Sequence, residues 1–301
     1  MIDIQYLLPE DGFEYFKHAP HIKLMNQAEI ELRTQGSETS VLTHYKKNLV
    51  EFNPEEMQAI SWYVNALMPY LMKYARKLIP NKLCFVKLRK GTEWDYPFTL
   101  HKQHNSVESC IVLTEKKLDQ AIYGYKTQND QLVKEYMNML VHEMIHLHQK
   151  ANVKLYSQIY QQCFGMRKHR VKLDQAVREQ FLTNPDGYTY KWIIPFNLEA
   201  GSYKEPVWFL PALMLKGDQM REMLIQLKMN KFGRYCNDGM KFIPIEAYPT
   251  YQKLYGIRRQ LYHPNEISAQ LIADYIINGY KYETELLIRN NFYTYTFSKL
   301  Q

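Results

Sequence analysis

The segment Gln131–Lys150 constrains this chain more than any other. It is unbroken by proline or glycine and carries His142-Glu143-Met144-Ile145-His146 near its centre. Apolar residues including Leu132, Val133, Tyr136, Met137, Leu140 and Val141 recur at a spacing that predicts a largely buried helix. On a helix turning about 100° per residue, His146 is displaced from His142 by about 40°, and Glu143 lies about 60° beyond His146. Both imidazoles can therefore reach one metal ion from the same face, while the glutamate reaches a water on that ion. His148 points about 160° away from the nearer histidine and is not expected to join them. A buried helix holding two histidines and a glutamate needs something to offset the cost of burying polar groups, and metal coordination does so. The competing reading is a chance pattern whose histidines are hydrogen-bonded in an ordinary core.

Composition narrows the setting. A chain of 301 residues can hold one large domain or two ordinary ones. Its 46% hydrophobic and 23% charged residues are globular values. Neither GxGxxG nor GxxxxGK[ST] occurs, so nucleotide binding has no motif behind it. The net charge of +7 permits contact with nucleic acid but does not require it. The basic runs Lys87–Lys90 and Arg167–Lys172 lack the interleaved aromatics of a base-stacking surface and read as solvated faces. Cys84, Cys110, Cys163 and Cys236 are too scattered for a zinc knuckle and read as reduced thiols of a cytoplasmic type of compartment. Met1–Asp11 has acids and no long apolar core, so no secretory signal is expected. The longest apolar stretch, near Val207–Leu215, is short and interrupted by Pro211, so no membrane span is expected either.

The elements around the motif are expected as follows. Asn53-Pro54-Glu55-Glu56 starts a helix, with Asn as cap, Pro in the first turn and acids at the positive end of the dipole; it should run to about Ile79. Leu83–Leu88 and Ser109–Thr114 read as strands, and Gly91–His104 as loop-like with parts extended. After the motif, Leu155–Cys163 and Val171–Phe181 read as helical, Asn184–Gly187 as a turn and Tyr188–Pro195 as extended. Asp218–Met229, Tyr251–Tyr262 and Pro264–Tyr280 read as helices, and Phe292–Phe297 as a short strand. The turn at Asn184–Gly187 gives the best division, into residues 1–185 around the motif helix and a mainly helical 186–301.

Leu140-Val141-His142-Glu143-Met144-Ile145-His146-Leu147 resembles the extended signature of the zincin metallopeptidases. Asn265-Glu266-Ile267-Ser268-Ala269-Gln270 resembles the NExxA(D) helix of the gluzincin branch, with Gln270 where that branch has an acid. The resemblance covers two short motifs. It implies an α+β zincin-like fold, with a small sheet on the active-site helix and an edge strand that pairs with an extended peptide. It also implies Zn2+ as cofactor, His142, His146 and Glu266 as ligands, Glu143 as general base, and Gln270 in the place of the residue that supports a ligating histidine. Ser109–Thr114 is the candidate edge strand. His263, Tyr262 and Tyr275 are candidate oxyanion donors. A partial similarity to the SprT-like metalloproteases covers about residues 83–193, but the third histidine of those proteins has no counterpart here, His169 being the nearest. His169, Asp174, Glu179 and Glu199 are rival third ligands, and a capping acid in a first helical turn is the ordinary role for Glu266. The reading that follows is a zinc metallopeptidase acting on peptide or protein. Its rival is a zincin fold kept as a structural or binding module of a larger assembly.

Overall fold

The computed structural model of the chain describes residues 2–37, 39–101, 108–187, 189–196, 206–216, 219–257 and 259–301. In chain order the elements are β1 (Asp3–Tyr6), α1 (Pro9–His18), α2 (Gln27–Arg33), α3 (Val41–Asn48), β2 (Leu49–Val50), α4 (Pro54–Tyr74), β3 (Lys82–Leu88), β4 (Phe98–His101) and β5 (Ser109–Thr114). They continue with α5 (Glu115–Thr127), α6 (Asp130–Ala151), α7 (Val153–Gln162), β6 (Arg167–Lys168), α8 (Gln175–Arg178), β7 (Trp192–Phe196), β8 (Val207–Lys216), β9 (Gln219–Met229) and β10 (Tyr235–Pro244). Last come α9 (Pro249–Tyr255), α10 (Pro264–Asn278), α11 (Glu285–Arg289) and α12 (Phe292–Leu300). The chain is thus α+β, with two sheets among its described residues.

The first sheet has the order β1-β3-β5-β4, with β2 pairing the far end of β3. β1, β3 and β5 run parallel, and β4 runs antiparallel to β5 at the edge. Strand periodicity explains why β3 and β5 are apolar throughout. Leu83 and Phe85, with Ile111 and Leu113, join the cluster around α4 and α6. Cys84 and Val86, with Cys110 and Val112, join Phe16 and Tyr45 of α1 and α3 on the other face. A sheet covered on both faces needs apolar residues at every position. The candidate edge strand Ser109–Thr114 is therefore corrected: it lies inside the sheet between β3 and β4, and β4 is the edge.

The second sheet, β10-β9-β8-β7-β6, is antiparallel throughout. Four of its strands fall in residues 186–301, which corrects the expectation that this stretch is mainly helical, and three element readings fail as well. Gln219–Met229 is a strand, because its Met- and Leu-rich sequence finds partners on both sides in β8 and β10 and these ladders override helix preference. Val171–Phe181 keeps only the single turn of α8, its backbone being drawn to the sheet by Lys172 N to Tyr235 O (2.8 Å) and by the bridge of Phe181 to Met214. Phe292–Phe297 belongs to a helix whose Phe292, Thr296 and Leu300 recur every fourth residue on the buried side. The helix after Pro54 stops at Tyr74, short of Ile79, and the one in Tyr251–Tyr262 stops at Tyr255, where Gly256 caps it with φ of 75°. Asn53 and Glu56 form the expected capping box. Asp218, Tyr188, Glu199 and part of Gly91–His104 lie outside the described residues.

α6 packs on α10, α4 and α5, and its other flank meets β4 and β5. The apolar cluster that holds these helices contains Phe85 and Val141 as well as Tyr255 and Ile272, so it runs across the 185/186 division. No helix among the described residues is long and apolar enough to cross a membrane.

Candidate metal centre

α6 presents His142, Glu143 and His146 on one buried face, as the spacing requires. α10 supplies the third group. Pro264 starts this helix and His263 caps it, which sets Glu266 in its first turn, opposite α6. His142 Nε2 stands 3.2 Å from Glu266 Oε2, His146 Nε2 stands 3.4 Å from the same oxygen, and the two Nε2 atoms are 2.9 Å apart. In tetrahedral coordination at about 2.0–2.1 Å, ligand atoms stand about 3.3–3.4 Å apart, so small shifts close this triangle on one ion.

The surrounding hydrogen bonds suit that role. Gln149 Nε2 donates to Asn265 O (2.8 Å) and to Ser268 Oγ (2.9 Å), which fixes its amide. Gln149 Oε1 therefore accepts from His146 Nδ1 at 2.8 Å, an arrangement that would leave Nε2 to face a metal once that nitrogen gives up its proton. The resemblance implied such a contact from Gln270; the side chain that meets His146 is Gln149, one turn along α6. Asn184 Nδ2 donates to Glu266 Oε1 at 3.0 Å and also meets the Tyr262 hydroxyl.

Charge at the centre is strongly coupled. Burial lowers His142, helped by His146. Burial also acts to lower His146, but the carboxylates of Glu266, Asp186 and Glu143 outweigh it and lift that imidazole to about 10. Burial would raise Glu266, yet the two histidines hold it well below the usual carboxylate range. Burial, with the charge of Asp186, pushes Glu143 well above that range, and its Oε2 is buried with no hydrogen-bond partner among the described residues.

The turn Asn184–Gly187 packs against this site. Asp186 comes close to both Glu143 and His146, but its oxygens are engaged: Oδ1 accepts from Lys150 Nζ (2.8 Å) and meets Thr99 Oγ1, and Oδ2 accepts from Thr99 N (3.1 Å). Lys150 Nζ also donates to Thr99 O (2.7 Å). Asn265 Nδ2 holds the turn through Asp186 O at 2.6 Å. Asn184, Asp186, Lys150 and Gln149 were not singled out from sequence as site residues. The polar turn was legible, but its position against the centre was not.

The other candidates fall elsewhere. Both ring nitrogens of His263 serve structure: Nδ1 accepts from Asn265 N (3.1 Å) and Nε2 faces Thr189 O (3.3 Å). Burial lowers His263 to about 4, and Gly187 lies so close that an added Cβ would sit 2.8 Å from its ring. Tyr275 packs against Tyr74, Tyr293 and Phe297. His148 meets Tyr156 Oη at 3.1 Å, pointing away from the centre as expected. His169 is exposed beside Tyr235, Asp174 accepts from Asn237, and Glu179 accepts from Gln175. Comparison of the chain with protein-family models, with curated proteins and with solved structures finds no match.

Proposed function

We propose that this chain is a zinc-dependent metallopeptidase of zincin-like fold, with His142, His146 and Glu266 as ligands and Glu143 as general base. The observation that carries the reading is Glu143: a buried carboxylate with an unpartnered oxygen, beside three donors gathered for one ion but not itself one of that triad. A structural site needs ligands and no base, and it gains from a fourth protein ligand. Asp186, gathered with Glu143 and His146 beside the triad, is a candidate for that position, but Lys150 and Thr99 already hold both of its oxygens. Bound zinc would lower the pKa of a coordinated water and polarise a carbonyl. The hydrogen-bonded His146 and the restrained Glu266 orient the ligands. Glu143 would take a proton at its free oxygen and pass it to the leaving amine. Tyr262, whose hydroxyl meets the Asn184 side chain that contacts Glu266, is the better candidate oxyanion donor, since both ring nitrogens of His263 are engaged and Tyr275 packs among aromatics.

An extended peptide would pair with the outer side of β4. At Thr99 that side is taken by Asp186 and Lys150. The same observation favours the second reading, a zincin-like fold retained as a non-catalytic module, because a peptide must displace those contacts to pair there. Glu143→Gln decides between the two. It should leave zinc content and folding unchanged and lower cleavage of an unfolded protein by about 10²–10⁴-fold. Zinc-loaded wild type that cleaves no unfolded substrate would leave the module reading standing.

A further inference from the structure

A cavity of about 340 Å³ opens beside the metal centre, walled by the free end of α6, the edge strand β4, the turn beside the site and the β6–β7 pair. Gln149, Asp186 and Asn265 line it and also contact the centre's residues, so one wall is shared with that site. Its volume lies at the small end of ligand pockets, enough for one or two residues of a peptide.

The charge on its walls is lopsided. Lys150, Lys168 and Lys191 face it, against Asp186 as the single lining carboxylate. Lys150 already spends its charge on Asp186. Neither Lys168 nor Lys191 has a carboxylate partner among the described residues, although β6 and β7 set them close enough for Lys168, together with burial, to lower Lys191. His21 also lines the cavity. It is 1% exposed, and its Nε2 has no hydrogen-bond partner among the described residues. Burial and the charges of Arg33 and Lys150 hold this imidazole neutral, so its second nitrogen can donate without adding charge. The lining also includes the apolar or aromatic side chains Val153, Tyr156, Tyr160 and Trp192, and Trp192 pairs directly with Lys168 across the β6–β7 ladder. Two cations on adjacent strands with no carboxylate partner repel each other, and an anion between them relieves that cost.

We infer that this cavity is a subsite for a carboxylate carried by the peptide, either its C-terminus or an Asp or Glu side chain, bound by Lys168 and Lys191 with the rest of the residue against Tyr156 and Trp192. The peptidase reading supplies the source of the carboxylate; the subsite itself is tested by binding, without turnover.

The experiment uses full-length, zinc-loaded Glu143→Gln protein and fluorescence anisotropy with labelled peptides in matched pairs. One pair differs by a free or amidated C-terminus, the other by an internal Glu or Gln, and inorganic phosphate is run as competitor. One carboxylate-bearing peptide should bind at least about tenfold more tightly than its neutral twin. Adding Lys168→Ala or Lys191→Ala should remove that preference while leaving the neutral peptide's affinity unchanged. Lys168 is exposed, so its variant remains informative if Lys191→Ala impairs folding. Equal affinities within both pairs, or a preference that survives the Lys168 variant, overturns the subsite. Competition by phosphate with no effect of peptide charge also overturns it and marks a free-anion site. A clear carboxylate preference in a protein whose wild type cleaves nothing would keep the subsite and remove the peptidase reading.

Discussion

At the scale of single residues, the centre makes three groups do different work. His146→Ala and Glu266→Ala should each abolish zinc retention measured by metal analysis, whereas loss of an ordinary capping acid would cost about 1 kcal/mol of stability and leave metal alone. Gln149→Leu removes the acceptor from His146 Nδ1 and should weaken zinc binding by about 10–100-fold, read by competition with a chromogenic chelator. The pH dependence follows from the raised pKa of His146. In the metal-free protein this imidazole keeps its proton up to about 10, so zinc must displace it, and affinity should fall as pH falls. Zinc added to weakly buffered protein at neutral pH should release about one proton per ion from this group. Stability of the metal-free protein depends on this group too. The folded pKa of His146 lies above its unfolded value, so its contribution is fully present below about 6.5 and is lost as pH rises through about 10. Glu266 runs the other way, stabilising above the ordinary carboxylate range and losing that contribution as pH falls through its depressed value.

At the scale of elements, the turn against the centre is held by α2. Glu29 Oε1 accepts from Arg33 Nε (2.9 Å) and Nη2 (2.7 Å) and from Thr183 N (2.9 Å) and Oγ1 (2.7 Å), while Arg33 Nη2 donates to Thr183 O (2.6 Å). Both charged side chains are almost wholly buried, so removing one strands the other. Arg33→Met should cost about 3–5 kcal/mol in denaturant unfolding. It should also weaken zinc binding, because Thr183 precedes the Asn184 that restrains Glu266. A stability loss with unchanged zinc affinity would separate the turn from the site. Asn53→Ala, which removes half of the capping box of α4, should cost about 1 kcal/mol and leave zinc untouched. The capped and proline-started helices were legible because their signals are local. The strand β9 was not, because Met, Leu and Gln favour a helix locally and only the neighbours β8 and β10 override that preference.

At the scale of the whole molecule, zinc would join two helices distant in sequence, and its removal should loosen their packing. A ligand that binds only the folded state stabilises it by RT ln(1 + [L]/Kd), about 4 kcal/mol at a thousandfold excess over Kd. Chelation should therefore lower the thermal midpoint of wild type, and His146→Ala protein should melt low with or without chelator. What the sequence by itself determined is what neighbours along the chain can encode. A 3.6-residue period aims His142, Glu143 and His146 at one point, and Pro264 opens a helix with Glu266 in its first turn. Only the tertiary structure decided that those two points coincide, since nothing in the intervening residues specifies how α10 crosses α6. It also decided that Gln149 rather than Gln270 meets the imidazole, that β4 rather than β5 forms the edge, and that the Asn184–Gly187 turn packs against the centre. Each of these is a meeting of residues far apart in the chain, set by the shared core that packs the helices and sheets together rather than by any local preference.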